Sequence, residues 1–385
     1  MMQKRAVLAD LKEKVRSIEP VLRQHTAEAE SSRRLSRSAV EAMRGMGLYD
    51  MTRPRELGGL ELDPVSLFRV LEEVSRIDSA AGWNLAFSNS LNAFPAWLPE
   101  QGVAEVMHSK NVILAGAFTF PVAARVSEGG YTLSGRLPYV SGVHESDWIM
   151  LQAVVQNEPP RVIMAFFPTR EARIIETWDT LGMRGTGSHD MEISELFVPE
   201  HRTAAMAPLE KPHRAYQGPL YRLTVWPATA SGGPVMLGIA AAAIAAFVEL
   251  AQAKTPAFSG VPLRSRPTVH RQLAEAAGCL DAGRSLLHTT FEEAWRIVGE
   301  GEAITLDMKA RMQLAACFAT EMSARAVDLV RSIAGMQAIL VGHSLERHFR
   351  DAHTLTQHAF ASQSRLEDVG QIMLGLPPSW PFFSF

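Results

Sequence analysis

Two long runs of helical periodicity constrain the fold of this chain more than any other feature of its sequence. In each run apolar residues recur at alternating steps of four and three, the spacing that keeps one face of a helix against its neighbour. The first run is Leu273, Ala277, Leu280, Arg284, Leu287, Phe291, Ala294 and Val298, with one charge in the seam. The second run is Met308, Met312, Ala315, Ala319, Met322, Ala326, Leu329 and Ile333. Two helices of about 30 residues, each about 45 Å long, are therefore predicted to pack in an antiparallel bundle.

The middle of the chain has a different pattern of apolar residues. Its apolar runs are short and bounded by Gly, Pro, Asn or Glu clusters, which predicts strands rather than helices. These runs are Val112–Phe118, Tyr131–Ser141, Trp148–Val155, Arg161–Phe167 and Met191–Val198. The first hundred residues are typical of helices, and Asp63-Pro64 reads as a helix start, with Asp as the N-cap and Pro in the first turn.

These patterns divide the chain into four parts. We predict a helical N-terminal domain over residues 1–111 and a compact β domain over residues 112–205. Residues 206–230 are rich in Pro, Gly and Arg and are interpreted as a connector, and residues 231–385 form the helical bundle. Periodicity alone thus supports an α–β–α order.

Composition excludes several classes of protein. The chain has 385 residues, of which 47% are hydrophobic and 21% charged, as in soluble globular proteins of two or three domains. A formal net charge of −3 gives no reason to expect nucleic acid as a partner. Cys279 and Cys317 cannot build a disulfide framework, which fits a reducing cytoplasm. The uncharged stretch from Thr224 to Phe247 is long enough to span a bilayer, but its Pro, Gly and Ala content favours an internal helix.

Three segments of the chain carry a family resemblance. They are GGYTLSGRLPYVSGVHESDW (129–148), WDTLGMRGTGSHDMEISELFVP (178–199) and LERHFRDAHTLTQHAF (345–360). In this order and spacing they resemble the acyl-CoA dehydrogenase superfamily. They are most similar to its branch of two-component flavin-dependent aromatic monooxygenases, such as the oxygenase component of p-hydroxyphenylacetate hydroxylase.

The resemblance covers nearly the whole chain and implies an α+β multi-domain fold. Its parts would be an N-terminal helical domain, a central β-barrel or sandwich and a C-terminal four-helix bundle. In this family the flavin lies between the β domain and the bundle, and a second subunit completes its site. The resemblance and the long apolar stripes together lead us to expect a homotetramer, a dimer of dimers.

The first candidate site segment is Tyr139-Val140-Ser141-Gly142. It matches the aromatic-x-Thr segment that lies against the flavin ring in acyl-CoA dehydrogenases. The resemblance implies that Ser141 places a hydroxyl beside N5 and C4a of the flavin, that Tyr139 packs nearby, and that the serine holds the C4a-hydroperoxide. Taken alone, Ser141-Gly142 is also a common way to close a strand.

The second candidate is His358. Arg350-Asp351 matches the arginine–aspartate pair of the superfamily, and counting from it places the catalytic glutamate of a dehydrogenase at Ala359 or within one residue. No carboxylate stands there, so abstraction of an α-proton lacks its base. The monooxygenase branch carries a histidine instead. With an ordinary pKa, His358 would move protons near neutral pH or steady the flavin hydroperoxide.

Other candidates are less specific. A turn marked by Gly182, Gly185 and Gly187, called the glycine turn below, precedes the last predicted strand. The residues predicted to bind the cofactor are Arg184, Gly185 and Thr186 in this turn, together with Gly142 and Arg271. Arg284 ranks last among the phosphate donors, because an arginine in a bundle seam usually pairs with a carboxylate. The predicted substrate pocket is lined by Trp83, Asn92, Phe118 and Phe120.

Phe118 and Phe120 occupy a segment where the dehydrogenases have an acidic, glycine-rich motif, and core packing is an equally good interpretation of both rings. On the helix after Trp83 the monooxygenase branch often has a histidine, whereas this chain has Ser88, Asn89, Ser90 and Asn92. That departure leaves room for indoles or for oxygenation at nitrogen or sulfur.

The sequence therefore predicts the oxygenase component of a two-component flavin-dependent monooxygenase. It would use reduced FMN or FAD and O2, through the C4a-hydroperoxyflavin, to hydroxylate a small aromatic or indolic substrate. No Rossmann fingerprint or phosphate loop is present, so a separate NAD(P)H-flavin reductase is expected to supply the reduced flavin. No metal, nucleic acid or membrane partner is expected, and the location is expected to be cytoplasmic.

Three alternatives remain open at this point. The chain could be an acyl-CoA dehydrogenase with a base borrowed from Glu249 or Glu346. It could be an N- or S-oxygenase of the same fold. It could also be a non-catalytic relative that kept the fold.

Overall fold

Helices come first along the chain. The computed structural model describes residues 2–156, 159–206 and 211–385, without the side chains of residues 2, 3, 119 and 120. The α-helices that precede the first strand are α1 (Met2–Ser32), α2 (Arg37–Gly45), α3 (Pro64–Ile77), α4 (Ser79–Leu91) and α5 (Glu100–Val106). Asp63 caps α3 by accepting a hydrogen bond from the Ser66 amide at 3.1 Å, as its sequence predicts. Asp78 caps α4 in the same way.

A mixed sheet follows. Its strands are β1 (Leu114–Ser127), β2 (Gly130–Val140), β3 (Trp148–Val155), β4 (Arg161–Pro168), β5 (Arg173–Ile175), β6 (His189–Pro199) and β7 (Thr203–Ala205). They form one seven-stranded sheet in the order β5-β6-β2-β1-β3-β4-β7. Among the strand pairs of the described residues, β1–β3 is parallel and the others are antiparallel. The five strands predicted from short apolar runs all occur, and β1 continues beyond its predicted end at Phe118.

The sheet curls around a core of its own. β4 and β6 touch although three strands separate them in the sheet order. The concave face buries side chains such as Leu133, Ile149 and Phe167, which form a cluster separate from the helical core. The predicted barrel or sandwich is thus a single curled sheet with β5 and β7 at its edges.

The remaining helices build the C-terminal bundle. They are α6 (Pro219–Arg222), α7 (Trp226–Thr229), α8 (Gly232–Ala253), α9 (Pro267–Gly299), α10 (Leu306–Ala334), α11 (Ser344–Leu355) and α12 (Ser364–Met373). The two predicted long helices are α9 and α10, and they pack on each other and on α8, while α11 contacts α8 and α10. The charge in the first seam, Arg284, pairs with Glu72 of α3 at 2.6 Å, as expected for a seam arginine.

One apolar stretch passes a test for membrane spans by length and composition. It covers Trp226–Ala253, and 61% of its most hydrophobic window is buried inside the fold. α3, α10 and α11 pack against α8 in this stretch. Such burial is typical of the core helix of a globular domain, as the sequence predicts.

Candidate active site

A cavity of about 450 Å³ lies where the three parts of the chain meet. α4 of the N-terminal domain supplies Trp83 and Phe87, β1 supplies Phe118, and the segment after α11 supplies His358 and Phe360. The ends of β2 and the glycine turn close the remaining side with Tyr139, Ser141, Trp178, Met183, Thr186 and Ser188. The structure thus brings Ser141, His358, Tyr139, Thr186, Trp83 and Phe118 to one cavity.

A chain of hydrogen bonds runs along one wall of the cavity. The indole Nε1–H of Trp83 donates to Ser141 Oγ at 3.0 Å. Ser141 Oγ is 2.7 Å from Ser188 Oγ, which is 2.7 Å from Thr186 Oγ1. Thr186 Oγ1 donates to the carbonyl of Met183 at 2.8 Å.

The two ends of this chain fix its direction. An indole N–H can only donate and a carbonyl can only accept, so each hydroxyl must pass its single proton toward Met183. Ser141 therefore donates to Ser188 and Ser188 donates to Thr186. The Ser141 oxygen keeps one lone pair, and this atom can accept a further hydrogen bond from a ligand in the cavity.

Unusual backbone geometry is concentrated around this wall. Tyr139 and Met183 both have positive φ, at 64° and 54°, which is costly for residues other than glycine. The pairing of β2 with β6 also shifts register between Leu137 and Val140. The shift is a β-bulge type of irregularity, which bends the end of the strand. Strained backbone held by surrounding structure is common at ligand sites, and here it presents Tyr139 and Met183 to the cavity.

His358 lies against two aromatic rings. Its imidazole centroid is 4.8 Å from the Trp83 ring and 5.3 Å from the Phe360 ring. The Phe360 backbone N–H donates to His358 Nδ1 at 3.3 Å, so the neutral ring carries its proton on Nε2. Burial lowers the pKa of His358 to about 4. The sequence-based expectation of an ordinary pKa is therefore corrected: His358 is a neutral hydrogen-bond donor at pH 7.

The cavity wall carries no carboxylate among the residues that the structure describes. Ala359, the predicted position of the missing glutamate, lines the cavity beside His358. Neither of the alternative bases considered for a dehydrogenase lines the cavity. Glu249 is exposed on α8, and Glu346 is paired with Arg350 on α11. The base that a dehydrogenase needs is thus missing from the described wall.

Three predicted site residues lie elsewhere. Asn92 is buried beside α4 and donates to the carbonyl of Tyr49 at 2.9 Å, so it supports the N-terminal domain. Arg184 does not line the cavity and is held by Asp179 at 2.8 Å and by backbone carbonyls. Arg271 is exposed on the first turns of α9, 3.8 Å from Glu275. The structure does not bring these three residues to the cavity.

The two predicted glycines have backbone roles. Gly142 has φ of 71°, and its amide donates to the Thr186 carbonyl at 2.8 Å, which ties the end of β2 to the glycine turn. A Cβ at Gly185 would stand 3.0 Å from the Cβ of Ala80 and 3.1 Å from that of Ala29, which is tighter than most such contacts, so a neighbour would have to shift slightly. Phe120, the remaining predicted pocket residue, has its side chain outside the described part of the chain.

Sequence reasoning missed several residues of the wall. Ser188, Trp178 and Met183 lie within or beside the glycine turn, which the sequence singled out without assigning their roles. Phe360 follows His358 by two residues and contacts Phe118 at a centroid distance of 6.2 Å. The only sequence signals for these residues are their places in or beside the glycine turn and, for Phe360, its closeness to His358.

The chain matches two family models. They are described as the N-terminal domain of acyl-CoA dehydrogenase, over residues 9–98, and its C-terminal domain, over residues 230–363. Together they cover the helical parts on both sides of the sheet. The matched regions therefore include the cavity residues Trp83, Phe87, His358 and Phe360.

Similar proteins include several oxygenases. The chain is 30% identical to indole-3-acetate monooxygenase of Pseudomonas putida, covering 92% of this chain and 91% of that protein. It is 27% identical to the oxygenase component of FADH(2)-dependent resorcinol hydroxylase of Rhizobium sp., covering 95% and 94%. Among solved structures, XiaF from Streptomyces sp. in complex with FADH2 and glycerol matches with a TM-score of 0.93 at 26% identity, covering 99% of this chain and 98% of that one.

Proposed function

The chain belongs to the acyl-CoA dehydrogenase superfamily, and we propose that it is the oxygenase component of a two-component flavin-dependent monooxygenase. Its substrate would be a small aromatic or indolic molecule. The observation that carries the proposal is the cavity itself, where an oriented hydroxyl and a neutral histidine flank Trp83 and the described wall has no carboxylate.

The wall fits a reduced flavin. The Ser141 hydroxyl donates its proton to Ser188, so its oxygen can only accept a hydrogen bond from a ligand. Reduced flavin has an N–H at N5, whereas N5 of oxidised flavin is an acceptor. The oriented hydroxyl chain therefore suits the reduced form, with Thr186, Trp178 and Tyr139 as the other residues that would hold the ring. One similar protein is named as FADH(2)-dependent and another is solved in complex with FADH2, so reduced FAD is the first choice and reduced FMN the alternative.

Reduced flavin supplies the electrons with which O2 is activated, so that one oxygen atom passes to the substrate. A separate NAD(P)H-flavin reductase is the partner that supplies it. The protein's own contribution is to exclude water and to position hydrogen-bond donors. Several aromatic rings line the cavity and would stack a flat substrate, while His358 Nε2–H would donate a hydrogen bond within it.

The test is direct. Purified protein is given chemically reduced FAD or FMN, O2 and a panel of phenols, indoles and fused-ring heterocycles, and products are weighed by mass spectrometry. A product heavier by one oxygen atom is expected from at least one aromatic compound. Oxidation of an acyl-CoA in the same preparation, with no oxygenated product from any aromatic, would overturn the proposal. Oxygen found on nitrogen or sulfur would identify an N- or S-oxygenase.

Replacing Ser141 with alanine is expected to lower the product formed per O2 consumed by roughly 2- to 10-fold, the worth of about one hydrogen bond. The lost hydroxyl also leaves Trp83 Nε1–H and Ser188 without their partner. Oxygen electrodes and product chromatography measure the ratio. Ser146→Ala is the matched control, because Ser146 lies on the same segment but bonds Val143 and Thr169. An unchanged ratio in Ser141→Ala would remove this residue from the proposal.

We also propose that the protein is a cytoplasmic homotetramer, a dimer of dimers. Apolar side chains stand exposed in the turn between α10 and α11, among them Met336, Leu340 and Val341. Others are exposed at the end of α12, including Met373 and Leu374. Exposed apolar groups of this kind commonly mark subunit interfaces.

Light scattering at micromolar protein is expected to give four times the chain mass of 42.3 kDa. A Leu340→Asp, Val341→Asp double variant should dissociate into smaller species, because a buried interface cannot hold unpaired carboxylates. A monomeric mass for the unaltered protein would contradict the tetramer.

A further inference from the structure

A cluster of two histidines and one glutamate lies behind the cavity wall. His144 follows β2, Glu176 follows β5, and His189 begins β6. His144 Nε2 is 2.8 Å from one Glu176 oxygen, and His189 Nε2 is 3.0 Å from the other. The His189 side chain is completely buried. The mechanism described above uses none of these three residues.

Neighbours of fixed polarity set the protonation of His189. The backbone N–H of Trp178 donates to His189 Nδ1 at 3.1 Å, so this nitrogen carries no proton. His189 Nε2 faces two acceptors, the Glu176 carboxylate and the Arg33 carbonyl at 3.2 Å. The ring is therefore the neutral tautomer with its proton on Nε2. The lone pair on Nδ1 and the proton on Nε2 are both in use. A metal ion on Nε2 would move that proton to Nδ1 and break the contact with Trp178, so we do not assign a metal ion.

The contact from His189 ends on a wall of the active site. Trp178 lines the cavity, its indole N–H donates to the Met183 carbonyl at 3.0 Å, and its ring stands edge-on to Tyr139 at 6.4 Å. The Trp178 side chain is thus fixed at one end by Met183, and its backbone is fixed by His189. We propose that His189 is a positioning residue that holds Trp178 in the flavin pocket when neutral and releases it when protonated. The flavin part of this statement rests on the proposed function.

Protonation would break the arrangement because of where the second proton must go. Nε2 already carries one, so the new proton binds Nδ1 and points at the Trp178 N–H. Two donors then face each other, and the Trp178 peptide has to move. The groups that face His189 from the surrounding elements are His144, Glu176 and Arg33 with its carbonyl, and Arg34, which follows α1, acts on Glu176.

The direction of the pH effect follows from these neighbours. Burial lowers the pKa of His189 and outweighs the attraction of Glu176. The neutral, Trp178-holding form is therefore complete at neutral pH and is lost as pH falls through a pKa below the ordinary histidine value. Weakening of flavin binding is expected on the acid side only.

Two substitutions separate this role from general loss of structure. The side-chain oxygen of an asparagine can occupy the position of Nδ1 and accept from Trp178 at any pH, whereas a leucine cannot. Affinity for reduced FAD and reduced FMN is measured anaerobically from pH 5 to pH 8 for wild type, His189→Asn and His189→Leu. Wild type should bind roughly tenfold more weakly at the acid end, His189→Asn should lose this dependence, and His189→Leu should be weak throughout.

A second readout needs no flavin. Tryptophan fluorescence of the protein alone, over the same pH range, should shift in wild type and stay constant in His189→Asn. His353→Asn is the control, because His353 pairs with Asp328 on the outer side of the bundle and should keep the wild-type profile. Identical profiles of binding and fluorescence in wild type and His189→Asn would overturn the proposal. A fluorescence shift without any flavin binding would instead count against the proposed function.

Discussion

Replacing His358 with alanine is expected to lower the product formed per O2 consumed by on the order of 100-fold, the typical cost of losing one preorganised hydrogen-bond donor in an active site, while oxygen is still consumed and released as hydrogen peroxide. His358 is the imidazole in the described cavity wall, and its Nε2–H is left free by the bond between Nδ1 and the Phe360 amide. Loss of the ring also opens space beside Trp83 and admits water. Both effects favour breakdown of the activated oxygen over its transfer.

A second substitution separates the two nitrogens of this ring. In His358→Asn the amide oxygen can still accept from the Phe360 N–H, but the donor at the Nε2 position is gone. If product per O2 falls in both variants, the fall is due to loss of the Nε2–H donor. If product per O2 is restored in His358→Asn, the fall in His358→Ala is due to loss of the hydrogen bond from the Phe360 N–H. His353→Ala is the control, since His353 lies on the same segment and pairs with Asp328. A wild-type ratio of product to O2 in His358→Ala would remove His358 from the proposed function.

The pH dependence of coupling gives a further check on this residue. Burial lowers the pKa of His358 to about 4, below the ordinary value of 6.5. The neutral donor is then fully present at pH 6–8 and is lost only as pH approaches 4. At saturating reduced flavin, which removes any effect of His189 on binding, product per O2 should stay flat over pH 6–8. A fall centred near pH 6.5 would show that His358 titrates as an ordinary histidine.

Periodic and local features of the fold could be predicted from the sequence. The stripes in α9 and α10 are visible because each apolar step repeats the geometry of a helix against its neighbour. The strands and the helix start at Asp63-Pro64 could also be predicted, because they depend on residues that are close together in the sequence. Ser141 and His358 were found through a family resemblance, and the structure places both in contact with Trp83.

The rest of the site depends on contacts that no local pattern encodes. Asn92 and Arg184 are polar residues near the site in sequence, but backbone carbonyls of other segments hold them in place. The cluster of His144, Glu176 and His189 forms only when the ends of β2, β5 and β6 meet, because these three residues are far apart in the sequence. The low pKa of His358 likewise arises from burial, which requires the packed structure.

Replacing Asp351 with alanine is expected to lower the free energy of unfolding by about 2–4 kcal/mol, the largest stability effect we predict. Asp351 is buried on α11 and accepts from the Ser79 hydroxyl and the Met183 amide, each at 2.6 Å. Alanine would leave the Met183 N–H unpaired at a position where φ is already positive. This one carboxylate ties the first turn of α4, the glycine turn and the helix leading to His358 to each other, so the cavity should also loosen.

Urea unfolding at fixed protein concentration measures the effect, and Asp351→Asn is the control. An asparagine oxygen can accept from the Met183 N–H while the Ser79 hydroxyl turns to accept from the amide, so only about 1 kcal/mol should be lost. Burial raises the pKa of Asp351 from 3.8 to about 6, against the attraction of Arg347. The folded state then binds the proton more tightly, so wild-type stability relative to Asp351→Asn should fall as pH rises from about 4 to about 6. Equal stability of Asp351→Ala and wild type would show that the glycine turn is held without this contact.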